Sequence, residues 1–218
     1  MIGVIYHHDA RHDKRQGLSR VLTGVHGMAR SSRAEVAGRR QAVLDIAARL
    51  FRERGVEAVS VAEVMAAAGL THGGFYSHFA SKEALAAEAC GQAFGRGCTR
   101  WEGFAAAADG EGFARLLEYY LALAHRDAPG QGCAGPTFLA EAARDAPGGA
   151  VRRAYAAGIG GLAAAMERLL PASVKRRRRE RALLALAALV GAVSIARAVG
   201  EDPLSEEILL AVRAELSA

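Results

Sequence analysis

The sequence has few aromatic residues and lacks the cysteine patterns of secreted or zinc-binding domains. Aromatics make up 6% of the 218 residues, and the three cysteines, Cys90, Cys98 and Cys133, form no CxxC pair. An odd number of unpaired cysteines favours neither a disulfide framework nor a zinc knuckle, and a reducing compartment is the simpler interpretation. We therefore expect no metal, no cofactor and no disulfide.

Targeting and membrane signals are also missing. Residues 1–6 are mostly apolar, but they are soon followed by His, Asp and Arg, unlike a secretory signal. The longest apolar run, at 182–196, is shorter than an ordinary bilayer span. The sequence thus predicts a cytoplasmic protein with no membrane partner.

The chain does have a large apolar fraction, 51%, and an uneven distribution of charge. Residues 1–40 hold eight basic and three acidic side chains, so the net charge of +5 lies entirely in this segment. Clustered cations suit a polyanion such as nucleic acid, although a solvated tail has the same composition. We predict a disordered basic arm over 1–34, in which Met28 is an alternative start.

Helical periodicity begins after this arm. Apolar residues between Val43 and Phe51 recur at the spacing of one helix face, and Gly55 ends that helix. Ser60 and Glu63 have the spacing of a capping box, which predicts a short second helix. No stretch alternates like a strand, so the fold class is all-α. Later helices are predicted at 111–125, 137–144, 148–169, 174–199 and 204–217.

Two further caps complete the N-terminal pattern. Thr71 predicts a very short helix through His78, and Ser81 predicts a long helix through Phe94. Two short helices joined by residues 69–71 and supported by a longer helix form a helix-turn-helix. In that motif the second helix enters the major groove of DNA, and its first residues meet the base edges.

The segment at 60–85, SVAEVMAAAGLTHGGFYSHFASKEAL, resembles the DNA-binding domain of TetR-family transcriptional regulators. The resemblance covers roughly residues 37–97. It implies a three-helix DNA-binding domain at 35–97 and a helical ligand-binding and dimerisation domain at 98–218. It also implies a palindromic double-stranded DNA operator, a small-molecule effector and a ligand-responsive repressor that releases its operator.

Residue by residue, Thr71 and His72 resemble groove-facing positions, Tyr76 resembles the aromatic that touches phosphate and sugar, and Lys82 resembles a phosphate clamp. Phe75 and Phe79 fit the core better. The full set of predicted DNA-binding residues is Ser60, Thr71, His72, Gly73, Gly74, Tyr76, Ser77, His78 and Lys82.

Some of these residues have simpler interpretations. Thr71 is equally consistent with a helix cap alone, and His78 with a structural hydrogen bond. Two departures from the family pattern matter. Met65 stands where a small residue is usual, and two glycines, Gly73 and Gly74, leave the second helix with few side chains for base contact. Specificity would then depend on the remaining polar residues and on DNA shape.

The second half contains larger side chains that are candidates for an effector pocket, although most would simply be core. Their apolar character suits a hydrophobic or aromatic effector, and Glu141 or His125 would serve as its polar anchor. Phe113 and Met166 are further core or pocket residues. The predicted pocket consists of Trp101, Phe104, Tyr119, Tyr120, Phe138, Glu141 and Tyr155.

The last two predicted helices suggest a twofold homodimer. Residues 183–199 are apolar nearly all round, and a helix of that kind needs cover on every side. A second copy of the chain would supply it. The predicted interface consists of Leu183, Leu186, Val190, Ile208, Leu209 and Val212.

Other functions remain open from sequence. Cys133, His125 and Glu141 could act as nucleophile, base and orienting group of an enzyme, but they share no motif. Cys133 could also sense oxidants, or be inert. A helical adaptor or a DNA compactor would keep the fold without regulation. The basic run at 175–181 is interpreted as a solvated helix start.

Overall fold

The computed structural model describes residues 33–107, 110–174 and 176–218, and these residues form helices and turns without a strand. The predicted all-α class is therefore confirmed. Contacts group residues 37–218 into one compact unit. Most of the predicted arm, residues 1–32, lies outside the described residues. Arg33 and Ala34 instead begin the first helix.

Three α-helices and one 3₁₀ helix make up the N-terminal part. They are α1 (Arg33–Arg54), α2 (Val61–Ala67), the 3₁₀ helix His72–Ser77 and α3 (Lys82–Ala105). Gly55 and Gly69 have φ of 82° and 69°, so they make the left-handed turns that end α1 and α2. The predicted order is correct, but α3 is one continuous helix that crosses the predicted domain boundary at 97/98.

The described C-terminal part consists of six further α-helices and the 3₁₀ helix Pro129–Gln131. The predicted helix at 111–125 is divided, because Leu121 leaves the helix and Ala122 is extended, with ψ of 145°. The next helix begins three residues earlier than predicted, and the last long helix begins four residues later. The helices are α4 (Gly112–Tyr120), α5 (Leu123–Asp127), α6 (Ala134–Arg144), α7 (Ala150–Leu169), α8 (Arg178–Val199) and α9 (Pro203–Ser217).

The core fixes α3 against the C-terminal helices. The α3 and α7 pair has the most extensive packing. A Cβ added to Gly158 of α7 would overlap the Phe94 ring of α3, so the glycine permits this close approach. Phe94 also meets Tyr155 edge to face at 5.3 Å. Helix α3, which begins beside the helix-turn-helix, is therefore fixed by its packing against α7.

Helix α8 is, by length and composition alone, sufficient to cross a membrane, with a mean hydropathy of 2.2. The sequence analysis, which considered only residues 182–196, therefore underestimated the length of this apolar helix. Its inner face includes the buried residues Leu189 and Val193 and packs with α7 and α9, as expected for a core helix.

The described part of the basic run, residues 176–181, is mostly solvated, as predicted. Its member Arg178, the first residue of α8, is structural. Arg178 donates hydrogen bonds to the carbonyl oxygens of Glu167 at 2.6 Å and Pro171 at 3.0 Å. The Glu167 carbonyl lies in the last turn of α7, where backbone acceptors have no partner within the helix, and Pro171 lies just beyond that turn. Arg178 therefore caps α7 and fixes the connection to α8.

Candidate DNA-binding site

The short 3₁₀ helix is anchored by two buried phenylalanines. Phe75 is fully buried and Phe79 nearly so, and their rings stack with centroids 5.7 Å apart. Tyr76, between them in sequence, is 69% exposed and meets the edge of Phe75 at 5.2 Å. A helix of six residues has little stability of its own. Its position therefore depends on this anchor, which turns the opposite face to solvent.

The exposed face contains most of the predicted DNA-binding residues. Thr71 stands at the N-cap with extended backbone, but its side chain caps none of the amides that the structure describes. Ser77 donates its hydroxyl proton to the Gly74 carbonyl at 2.6 Å, which leaves its oxygen as an acceptor. The exposed residues of this face are Thr71, His72, Gly73, Tyr76 and Ser77.

Caps at α2 and α3 border this face. Ser60 is exposed and accepts the Glu63 amide at 3.1 Å, as predicted for the N-cap. The reciprocal half of the predicted capping box is replaced, because the Glu63 carboxylate pairs with Arg54. Ser81 accepts the Ala84 amide at 3.1 Å. Each helix therefore begins at a capped, polar end.

Lys82 is the first residue of α3. Its ammonium donates to the Glu57 carbonyl at 3.4 Å, and an ammonium has three donors, so this single bond leaves others for a phosphate. The next residue, Glu83, is exposed, and a hydrogen bond from Ser81 lowers the pKa of its carboxyl. A cation beside helix amides is a suitable geometry for an anion.

Arg40 of α1 braces the C-terminal end of the 3₁₀ helix. Its guanidinium lies 4.6 Å from the centroid of the Phe79 ring, donates to the His78 carbonyl at 3.3 Å and pairs with Glu88 of α3 at 2.6 Å. Sequence analysis missed Arg40, because its partners are 38 and 48 residues away. His78 is half-buried and its ring lies 6.5 Å from Phe79, which supports a structural role.

Two glycines make the exposed face nearly smooth. A Cβ at Gly73 would meet nothing within 4 Å, and a Cβ at Gly74 would lie 3.7 Å from the Met65 Cε. Neither glycine is required by a positive φ. The fully buried Met65 thus occupies the space beneath Gly74, which links the two departures from the family pattern.

The predicted effector residues do not all come together. Trp101, Tyr119, Tyr120 and the proposed anchor His125 line one cavity of about 410 Å³. Phe104 packs on Tyr119 at 5.9 Å. Phe104 and the other three residues lie outside the cavity lining: Phe138 is in the core, Tyr155 donates to the Gly135 carbonyl, and Glu141 accepts the Val56 amide.

The three residues considered for catalysis do not form a relay. His125 bonds the Tyr120 carbonyl through Nδ1 at 2.7 Å, and its Nε2 accepts the backbone amide of Cys133 at 3.1 Å. The imidazole thus serves the backbone rather than the thiol, and Glu141 is engaged elsewhere. Burial raises the pKa of the Cys133 thiol, which disfavours the reactive thiolate. In the described ranges, no three His, Cys, Asp or Glu side chains come together to hold a metal.

The predicted dimer residues divide between the interior and the surface. Leu186, Val190 and Leu209 are buried by their own chain, so they are not available to a partner. Ile208 and Val212 are half-buried against the core, and Leu183 is exposed. The solvent face of α8 instead contains Leu184, Gly191 and Ile195.

This arrangement has the geometry of a helix-turn-helix domain. A family model, bacterial regulatory proteins of the tetR family, matches residues 43–89. The HTH-type transcriptional regulator AcrR of Shigella flexneri is 44% identical over 61 residues, which are 28% of each chain. The HTH-type transcriptional repressor KstR2 of Rhodococcus jostii is 50% identical over 52 residues, 24% of this chain and 26% of that protein. The match thus spans about a quarter of these curated relatives.

Solved structures extend the likeness in fold to nearly the whole chain. The reduced form of E. coli NemR has a TM-score of 0.68 at 22% identity, covering 82% of this chain and 95% of that one. A TetR transcriptional regulator from Chloroflexus aurantiacus has a TM-score of 0.68 at 24% identity, covering 83% and 93%. Residues 43–89 thus match the tetR family model, and the rest of the chain shares the fold of these solved structures.

Proposed function

We propose that the protein is a sequence-specific DNA-binding regulator that represses transcription from a palindromic operator. One observation carries the proposal. The buried pair Phe75 and Phe79 fixes a short helix whose exposed face presents His72 and Tyr76, next to Lys82 at the start of α3. Hydroxyl, imidazole and ammonium groups on one surface suit base edges and phosphates together. The matched segments of AcrR and KstR2 support the same role.

Two substitutions separate phosphate contact from base reading. Lys82→Ala is expected to weaken operator and random duplexes equally and to reduce the salt slope by about one per protomer. His72→Ala is expected to reduce mainly the preference for operator, by about 1 to 3 kcal/mol. Fluorescence anisotropy at two salt concentrations measures both effects.

Arg168→Ala is the matched control for the lost charge. Arg168 pairs with Glu102, 20 residues along α3 from Lys82, or about 30 Å of helix. DNA binding by this variant should equal that of wild type. If Lys82→Ala and His72→Ala bind like the control, the face of the 3₁₀ helix does not read DNA. Equal affinity for all duplexes would instead favour a DNA compactor, and no binding at all would favour an adaptor.

A homodimer is proposed through the solvent face of α8. Leu184 is 68% exposed and Ile195 is 50% exposed, and Gly191 between them leaves open space above its Cα. These positions lie within one arc of the helix, at spacings of seven and four residues. An exposed apolar stripe of this kind suits a second copy of the same helix. A twofold dimer would match a palindrome with half-sites one helical turn apart.

Ile195→Arg is expected to convert the dimer to monomer, because the change places one cation from each protomer in the interface. Since the side chain is exposed in the single chain, the helical circular dichroism spectrum should be unchanged. Sedimentation velocity measures the mass. Leu139→Arg, on α6 with 45% exposure, is the matched control and should remain dimeric. An unchanged mass for Ile195→Arg would place the interface elsewhere.

The cytoplasmic regulator would respond to a small molecule by population shift. A ligand bound in the C-terminal part would favour a dimer geometry whose two DNA-reading helices no longer match the half-sites. Operator affinity then falls by the ratio of the affinities of the ligand for the two geometries. A saturating effector that leaves operator affinity unchanged would contradict this mechanism.

A further inference from the structure

The cavity of about 410 Å³ is lined by an unusual number of cations. Arg49 and Arg52 come from α1, and Arg96 and Arg100 come from α3. The rest of the lining includes aromatic residues, the connection at 130–133 and one carboxylate, that of Asp45. Its volume is within the range of small-molecule sites, which is roughly 300–1,000 Å³. The wall therefore combines guanidinium groups with flat apolar surface.

The four arginines differ in how they are neutralised. Arg96 pairs with Asp45, and Arg49 pairs with Glu53 at 2.9 Å. Arg52 donates instead to the Gly130 carbonyl at 3.1 Å, and Arg100 donates to the Tyr119 hydroxyl. A carbonyl and a phenol are neutral acceptors. Two of the four guanidinium charges are thus bonded to groups that do not neutralise them.

The lack of a neutralising hydrogen-bond partner matters most for Arg52, because its side chain is buried. Burial lowers its pKa, and the neighbouring guanidinium of Arg96 lowers it further. Removing a charge from water is unfavourable unless an opposite charge accompanies it. A carboxylate in the cavity would supply that charge and accept paired N–H donors from guanidinium groups.

The apolar wall restricts the kind of anion. Trp101 and Tyr120 meet edge to face at 5.8 Å, and the Tyr119 ring lies beneath the Arg100 guanidinium at 4.9 Å. Trp101 and Tyr120 are buried, so the half-exposed Tyr119 offers the ring surface of this wall. A simple inorganic anion would leave that ring uncovered, whereas a flat aromatic body would pack on it.

We propose that this cavity binds an aromatic carboxylate, whose carboxylate lies among the four arginines and whose ring packs against Tyr119. The site rests on the proposed function, because it gives the chemical class of the effector. It adds a carboxylate to the hydrophobic or aromatic effector expected from sequence. The anion would contact α1, which supports the helix-turn-helix, and α3, which begins at Lys82. Neutralising the repulsion between these helices would change their separation, and so the placement of the DNA-reading face.

Calorimetric titration of the full chain without DNA tests the site. The probe is 2-naphthoate, and its neutral counterpart is 2-naphthamide. We expect naphthoate to bind at least about tenfold more tightly than the amide, since bonds to charged groups are the stronger ones. Arg100→Gln and Arg49→Gln should each reduce naphthoate affinity by about tenfold or more. Both residues are solvent-exposed, so the variants should fold. Arg168→Gln, outside the cavity, should bind like wild type.

Several results would overturn the assignment: no binding of naphthoate, equal binding of the amide, or an equal effect of Arg168→Gln. Inorganic phosphate binding as tightly as naphthoate would also overturn it, because the aromatic wall would then contribute nothing. Operator binding by the ligand-free wild type is measured separately. Intact operator binding without selectivity for naphthoate refutes only the anion site, whereas naphthoate binding without operator recognition refutes only the regulator.

Discussion

Replacing Phe75 by Ala is expected to lower the free energy of unfolding by about 3 to 5 kcal/mol and to abolish operator recognition. The ring is fully buried and stacks on Phe79, so its removal leaves a cavity beneath the 3₁₀ helix. Six residues cannot hold a helix in place without such an anchor. Urea denaturation gives the change in stability, and anisotropy with an operator duplex gives the loss of binding.

Tyr76→Ala is the matched control, because the same helix loses an aromatic ring from its exposed side. We expect stability to change by about 1 kcal/mol or less. DNA binding should nevertheless weaken by about 1.5 to 3 kcal/mol, since a hydroxyl bonded to phosphate is lost. A Tyr76→Ala protein as unstable as Phe75→Ala would contradict the assignment of the two rings to opposite faces. Unchanged DNA binding would remove Tyr76 from the reading surface.

Acidification is expected to destabilise the protein through His125. Burial lowers the pKa of this imidazole from 6.5 to about 4. Between these values the unfolded chain binds a proton that the folded chain does not. The contribution of His125 to stability is therefore fully present above pH 6.5 and is lost as the pH falls towards 4. The full loss is about 3 kcal/mol, from about 1.4 kcal/mol for each pH unit.

His125→Asn isolates this effect from the titration of carboxylates. Asn can still donate to the Tyr120 carbonyl, but it does not titrate. Urea denaturation at a series of pH values between 7 and 4.5 should show a flatter dependence for this variant, although its stability at pH 7 is lower. His72→Asn, at an exposed position, should follow wild type. Parallel curves for wild type and His125→Asn would show that His125 does not cause the loss.

Local signals account for much of what the sequence predicts correctly. Ser60 and Ser81 accept the amides expected of N-caps, and Gly55 and Gly69 end helices because they take a positive φ. Such signals act within a few residues, so they are visible in sequence. The 3₁₀ geometry of the third element is less visible. Two adjacent glycines favour helix weakly, and tertiary anchoring decides the outcome.

Long-range contacts account for what the sequence could not give. The break between α4 and α5 contains neither glycine nor proline. It forms because the His125 ring packs on the Tyr120 ring, with the centroids 4.6 Å apart. The charge of the cavity was missed for a similar reason. Arg52 and Arg96 lie far apart in sequence, on α1 and α3, and only folding brings them to one wall. On α8 both faces are apolar, so periodicity does not distinguish the inward Leu186 from the outward Leu184.

The open surface above Gly73 has a consequence for the evolution of operator preference. A Cβ added there meets nothing within 4 Å beyond its own helix, so we expect a single substitution to introduce a new base contact with little loss of stability. In many proteins a change of specificity requires compensating changes in packing, because binding residues also support the fold. Here the residue that anchors the helix is Phe75, and the position that is free to vary is Gly73. Duplicated copies of such a gene could therefore diverge in the DNA they recognise while keeping one stable scaffold.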